Sequence, residues 1–118
     1  MDITQLLQLV KQKQTVDQQS EWCKGSSTYL EGIPEELEEV KAEIISGKQP
    51  HLEDELGDVL WDYLNALVNL EAEGKINIDN IPKRALKKYG ERVNGILEGK
   101  NWNDIKKKQK EELDAELN

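Results

Sequence analysis

Glu36-Leu37-Glu38-Glu39-Val40-Lys41-Ala42-Glu43 and, nineteen positions further on, Glu55-Leu56-Gly57-Asp58-Val59-Leu60-Trp61-Asp62 share one pattern: acid, Leu, any residue, acid, Val, two more residues, acid. At about 100° per residue, acids at i, i+3 and i+7 fall within an arc of roughly 60°, so each segment reads as a helix bearing a stripe of three carboxylates. An apolar stripe lies beside each one: Leu37, Val40 and Ile44 on the first, Leu52, Leu56, Val59 and Tyr63 on the second. The short connection from Ser46 to Pro50 favours antiparallel packing of these apolar faces, which would bring the two acid stripes together at the edge of the seam.

Outward from this pair the chain stays helical, because sustained apolar/polar alternation and clusters of β-branched residues are both missing. Ile3, Leu6, Leu7, Leu9 and Val10 predict a short amphipathic helix running toward Asp17, then a Gly/Ser/Thr loop at Lys24–Thr28. The second helix is expected over residues 34–46, with Pro34 in its first turn and Gly47 as its stop. Pro50 opens a third and longest helix that ends at Gly74. Asp79 or Asn80 can cap a fourth with Pro82 in its first turn, which Gly90 and Gly95 weaken beyond Tyr89. Asn101 or Asn103 can cap a charged, exposed helix over Asp104–Leu117. The expectation is an all-α bundle of four to five helices in one domain spanning residues 1–118, its chemistry concentrated between about residues 20 and 92.

Charge narrows the function. Of a formal net charge of −8, residues 31–62 alone carry −9, with eleven carboxylates against Lys41 and Lys48. This segment should repel nucleic acid and attract cations. A solvated helix face usually mixes Lys among its Glu to gain i,i+4 pairs, whereas like charges on one face cost stability unless something neutralises them. Oxygen donors without a thiolate cluster select a hard cation, Mg²⁺ or Mn²⁺ over Zn²⁺. Di-iron carboxylate bundles normally supply Glu-x-x-His on two helices. Here the sole histidine, His51, reads as a first-turn surface residue. The longest apolar runs are two or three residues, such as Ala66-Leu67-Val68, far below the roughly 18 of a membrane span. The single Cys23 and the lack of a visible export signal lead us to expect a cytoplasmic protein.

The words Glu36-Leu37-Glu38-Glu39 and Glu55-Leu56-Gly57-Asp58, separated by fifteen residues, resemble the Glu-x-x-Glu and Glu-x-x-Asp motif of the MazG-type all-α nucleoside triphosphate pyrophosphohydrolases, related to dimeric dUTPases and dCTP pyrophosphatases. Asp54-Glu55-Leu56-Gly57-Asp58-Val59-Leu60 is the more specific word of the two. The resemblance implies a Mg²⁺-dependent enzyme that cleaves an NTP or dNTP to the monophosphate and pyrophosphate, with Glu36, Glu39, Glu55 and Asp58 as metal ligands. A carboxylate outside that set would orient or deprotonate the attacking water, with Glu35, Glu38 and Glu43 as candidates and Asp62 behind the ligands. Phosphates call for cations, and Lys83, Arg84, Lys87, Lys88 and Arg92 supply them on the fourth helix. Trp22 stands where related enzymes place a base-stacking aromatic, and Asn65 can hydrogen-bond sugar or base. Trp102 in Trp102-Asn103-Asp104-Ile105-Lys106 is expected to pack.

Trp61, Leu64 and Val68 lie opposite the third helix's seam, and so apolar a circumference is buried. We therefore expect a homodimer, or a dimer of dimers, with this helix central. The competing reading is a non-catalytic acidic module that holds a structural cation or a basic partner. Such a face has no reason to repeat the same eight-residue pattern on two helices. A third reading is a relative acting on another pyrophosphate substrate, such as a phosphoribosyl nucleotide.

Overall fold

The computed structural model describes residues 1–117 and contains five helices. They are α1 (Thr4–Gln19), α2 (Ser26–Ser46), α3 (Gln49–Ala72), α4 (Asn80–Leu97) and α5 (Trp102–Ala115). The fold is all-α, with no strand among the described residues. None of these helices is long and apolar enough to cross a membrane. Contacts divide the chain into two compact units, one spanning Met1–Ile78 and the other beginning at Asp79.

In the first unit α2 and α3 form the main antiparallel pair and α1 lies on α3. The turn between α2 and α3 is as tight as Gly47 allows: its φ of +71° is left-handed, and its N–H closes the helix on the Glu43 carbonyl. Pro50 sits in the first turn of α3, where its missing N–H costs nothing. The core is Val10, Leu64 and Val68, with Ile3, Leu6, Leu7, Leu60, Trp61 and Ile78 packed against it. Each such aliphatic side chain contributes about 1.5–3 kcal/mol on full burial.

Two sequence expectations are corrected here. The second helix begins at Ser26, not near Pro34, and carries Pro34 in its interior. An interior proline forfeits a hydrogen bond and costs about 3 kcal/mol in isolation. The turns before it are held by tertiary contacts instead. The Ser26 N–H and hydroxyl both donate to the Glu73 carboxylate at the far end of α3, at 2.8 and 2.9 Å, and Tyr29 is buried. The second correction concerns the seam. Leu37, Ile44, Leu56 and Tyr63 are exposed, with only Val40 of that set buried. The Trp61, Leu64 and Val68 side, expected to await a second copy, is covered by α1 of the same chain.

In the second unit α4 packs on α5. Asn101 caps α5, its side-chain oxygen accepting from the Asn103 and Asp104 N–H groups. Gln109 donates to the Lys88 carbonyl at 2.9 Å and accepts from Arg92 Nε at 2.9 Å, tying the two helices together.

Candidate metal centre

Glu36 and Glu39 lie one turn apart on α2, and Glu55 and Asp58 one turn apart on α3. The antiparallel register of the pair brings one oxygen from each of the four within 4.8 Å of all the others. Glu36 and Glu55 point furthest inward, and one oxygen of each is closed off from solvent without a hydrogen-bond partner among the described residues. Glu39 and Asp58 form the more exposed half. Gly32 lets the α2 backbone run close by, since a Cβ there would stand 3.1 Å from the Asp62 carboxylate.

Crowded acids resist ionisation. A hydrogen bond with Glu39, reinforced by partial burial and the charges of Glu39, Asp58 and Glu36, pushes Glu55 up to about 7. Burial, then the charges of Glu39, Asp58 and Asp62, holds Glu36 above the usual carboxylate range. Asp62 is raised by its own burial and by Asp58. Two inward oxygens without donors among the described residues, in a set made only of carboxylates, fit a hard cation, because a divalent ion would supply the positive charge they lack.

The remaining candidates are placed as follows. Glu35 is exposed, Glu38 pairs with Lys41 at 3.0 Å on the solvent side, and Glu43 accepts from the Ser46 hydroxyl at 2.8 Å at the end of α2. None of the three belongs to the converging set. Asn65 is fully buried on α3; its Nδ2 donates to the Trp61 carbonyl at 2.8 Å, leaving Oδ1 without a partner among the described residues. Trp22 stands exposed before α2, and His51 is exposed in the first turn of α3. On α4, Arg84 forms a two-pronged bond with Glu116 at 2.9 and 3.0 Å and Lys87 lies 3.6 Å from Glu112, while Lys83 is exposed. The Arg92 guanidinium sits over the Tyr89 and Trp102 rings, at 5.4 and 5.2 Å.

Sequence reasoning missed the Ser26–Glu73 clasp, which fixes where α2 begins and so helps set its register. The signal was present in Gly25-Ser26, a glycine free to take φ +84° followed by a small hydroxyl residue, but Pro34 outweighed it.

Two antiparallel helices that turn four carboxylates toward one point define an acidic cluster able to hold a metal ion in an all-α scaffold. A family model for the MazG nucleotide pyrophosphohydrolase domain matches residues 24–97, and the chain belongs to that family. The match spans both acidic words and all of α4. No curated protein and no solved structure matched the chain in the same comparisons.

Proposed function

We propose that this protein is a Mg²⁺-dependent pyrophosphohydrolase that cleaves a nucleoside or deoxynucleoside triphosphate to the monophosphate and pyrophosphate, clearing unwanted or excess nucleotides. The observation that carries the reading is the convergence of Glu36, Glu39, Glu55 and Asp58 within 4.8 Å, in a chain of this family. These four would hold the ion, with Mn²⁺ as an alternative to Mg²⁺. When bound, such an ion neutralises phosphate oxygens and lowers the pKa of an attacking water.

The chain's own groups supply the rest. A carboxylate outside the ligand set would take the water's proton. Glu35, Glu38 and Glu43 are candidates, and Asp62, half-buried and with its pKa raised by its own burial and by Asp58, would stand behind the ligands. Trp22 offers a face for the base, and the unpartnered Asn65 Oδ1 an acceptor for a sugar or base donor. Lys83, Lys87 and Arg92 would engage phosphates. Leu30, Leu37 and Ile44 recur at seven-residue steps on α2, as do Leu56 and Tyr63 on α3, and all five are exposed. This recurrence supports a homodimer, or a dimer of dimers, built through the α2–α3 pair.

The test is pyrophosphate release from a panel of NTPs and dNTPs with Mg²⁺ or Mn²⁺, for the wild type and for Glu39→Gln and Asp58→Asn. Metal-dependent turnover lost in both variants is the expected result. No turnover from folded, metal-binding protein would favour a non-catalytic cation-binding module instead.

A further inference from the structure

α1 lies outside the stretch that matches the family, yet it carries an ion pair, with a buried carboxylate and a partly exposed ammonium, that the acidic centre does not use. Lys13 Nζ donates to both Asp17 carboxylate oxygens, at 2.8 and 2.7 Å, and to the Tyr29 hydroxyl, which itself donates to Asp17 Oδ2 at 2.7 Å. Asp17 is 2% exposed and Tyr29 5%. Burial and the adjoining Asp17 push the Tyr29 hydroxyl well above its ordinary pKa, so it stays protonated and keeps donating. Three rings surround the ammonium, with centroids 4.8 Å (Tyr29), 5.6 Å (Trp61) and 5.9 Å (Trp22) from it. Trp22 also meets Tyr29 edge to face, centroids 6.4 Å apart, while remaining 63% exposed.

Burying the Asp17 carboxylate costs desolvation that the Lys13 contact only offsets, so the pair is a poor source of net stability compared with apolar packing and another role is worth seeking. Its location suggests one. Trp61 is one helical turn beyond Asp58 on α3, so the ring cage and the acidic cluster draw on neighbouring turns of the same helix. An unanchored surface tryptophan would lose rotamer freedom when a ligand stacked on it, and that loss weakens binding. Here the ammonium and the Tyr29 edge hold the ring before any ligand arrives.

We propose that Lys13 is a positioning residue for the nucleobase: locked by Asp17 and Tyr29, it fixes the Trp22 ring so that the ring's exposed face is a ready stacking platform for the base of a nucleotide whose phosphates sit at the acidic centre. The proposal rests on the nucleotide reading above. Lys13 acts only through Trp22, so its effect must vanish when the ring is gone.

The experiment is a double-mutant cycle on KM and kcat with the preferred nucleotide. Lys13→Met alone strands the Asp17 charge in the interior, so Lys13→Met/Asp17→Asn is measured beside it, with Mn²⁺ affinity and Tm for every variant. Trp22→Ala should raise KM about tenfold, in line with the loss of one stacked base. Lys13→Met/Asp17→Asn should raise KM about threefold or more with kcat within about twofold, and should add nothing in the Trp22→Ala background. Lys13→Arg, which keeps the cation, should stay within about twofold of wild type in KM. Additive KM effects, an unchanged KM, or a fall in kcat that tracks Mn²⁺ affinity or Tm would overturn the proposal while leaving the pyrophosphohydrolase reading intact. Wild-type protein that turns over no nucleotide would overturn both.

Discussion

Metal affinity at the acidic centre should depend steeply on pH, and the magnitude follows from Glu55. In the metal-free protein its pKa is pushed up to about 7, first by the hydrogen bond with Glu39 and then by partial burial and neighbouring charge. At pH 6 such a group is about nine-tenths protonated, against about 3% for an ordinary glutamate in the unfolded chain. A divalent ion requires the carboxylate, so its binding must expel close to one proton at pH 6 and about half of one at pH 7. Affinity should then be about fiftyfold weaker at pH 5 than at pH 7, with Glu36 adding in the same direction. Stability gives the complementary sign. A folded-state pKa above the unfolded value favours the fold at low pH, and that advantage is lost as pH rises through about 7, so the Tm of metal-free protein should fall between pH 5 and pH 7.5. Saturating Mg²⁺ should remove this slope. Titration calorimetry with Mn²⁺ from pH 5 to 8, in two buffers of different ionisation enthalpy, reads affinity and proton release together. Affinity independent of pH over that range, or an undiminished slope in Glu55→Gln, would refute the reasoning.

Three further outcomes follow from the structure. Glu39→Gln and Asp58→Asn should each lower metal-dependent pyrophosphate release by more than the roughly 10–100-fold typical of losing a supporting partner, with near-normal circular dichroism; turnover within tenfold of wild type would remove that residue from the ligand set. Gly25→Ala should destabilise the first unit by about 2–4 kcal/mol in urea unfolding, because φ +84° with ψ −147° suits only glycine and the new Cβ would stand 2.6 Å from the Glu73 oxygen that holds Ser26. A loss below about 0.5 kcal/mol would mean that the clasp does not hold α2. Asn101→Ala should cost about 1 kcal/mol of local stability in α5, seen as faster amide exchange at Asn103 and Asp104; unchanged protection there would show that the side-chain cap is dispensable.

How much was legible in the sequence differs between elements for identifiable reasons. The stops of α2 and α3 were readable because Gly47 and Gly74 take left-handed conformations that almost only glycine enters cheaply. The cap of α5 was readable only as Asn101 or Asn103; it is Asn101 whose short side chain accepts from amides two and three residues on, which starts α5 at Trp102. The start of α2 was not, because it depends on Glu73, 47 residues from Ser26. The Lys13–Asp17 pair has ordinary i,i+4 spacing and looks like any surface pair until Tyr29 and Trp61 close over it.

The sequence by itself determined an all-α chain and two helical stripes of three acids each, because both are local properties written within eight residues at a time; the resemblance, not periodicity, singled out Glu36, Glu39, Glu55 and Asp58 among those six. It could not determine which flank of each amphipathic helix faces inward, since acid and apolar stripes lie side by side and a modest rotation exchanges them. Tertiary packing decided that. With α1 covering Trp61, Leu64 and Val68, α3 presents Glu55 inward toward Glu36 and leaves Leu56 and Tyr63 exposed. The energy of that choice lies in contacts between residues far apart in the chain, which no local pattern encodes.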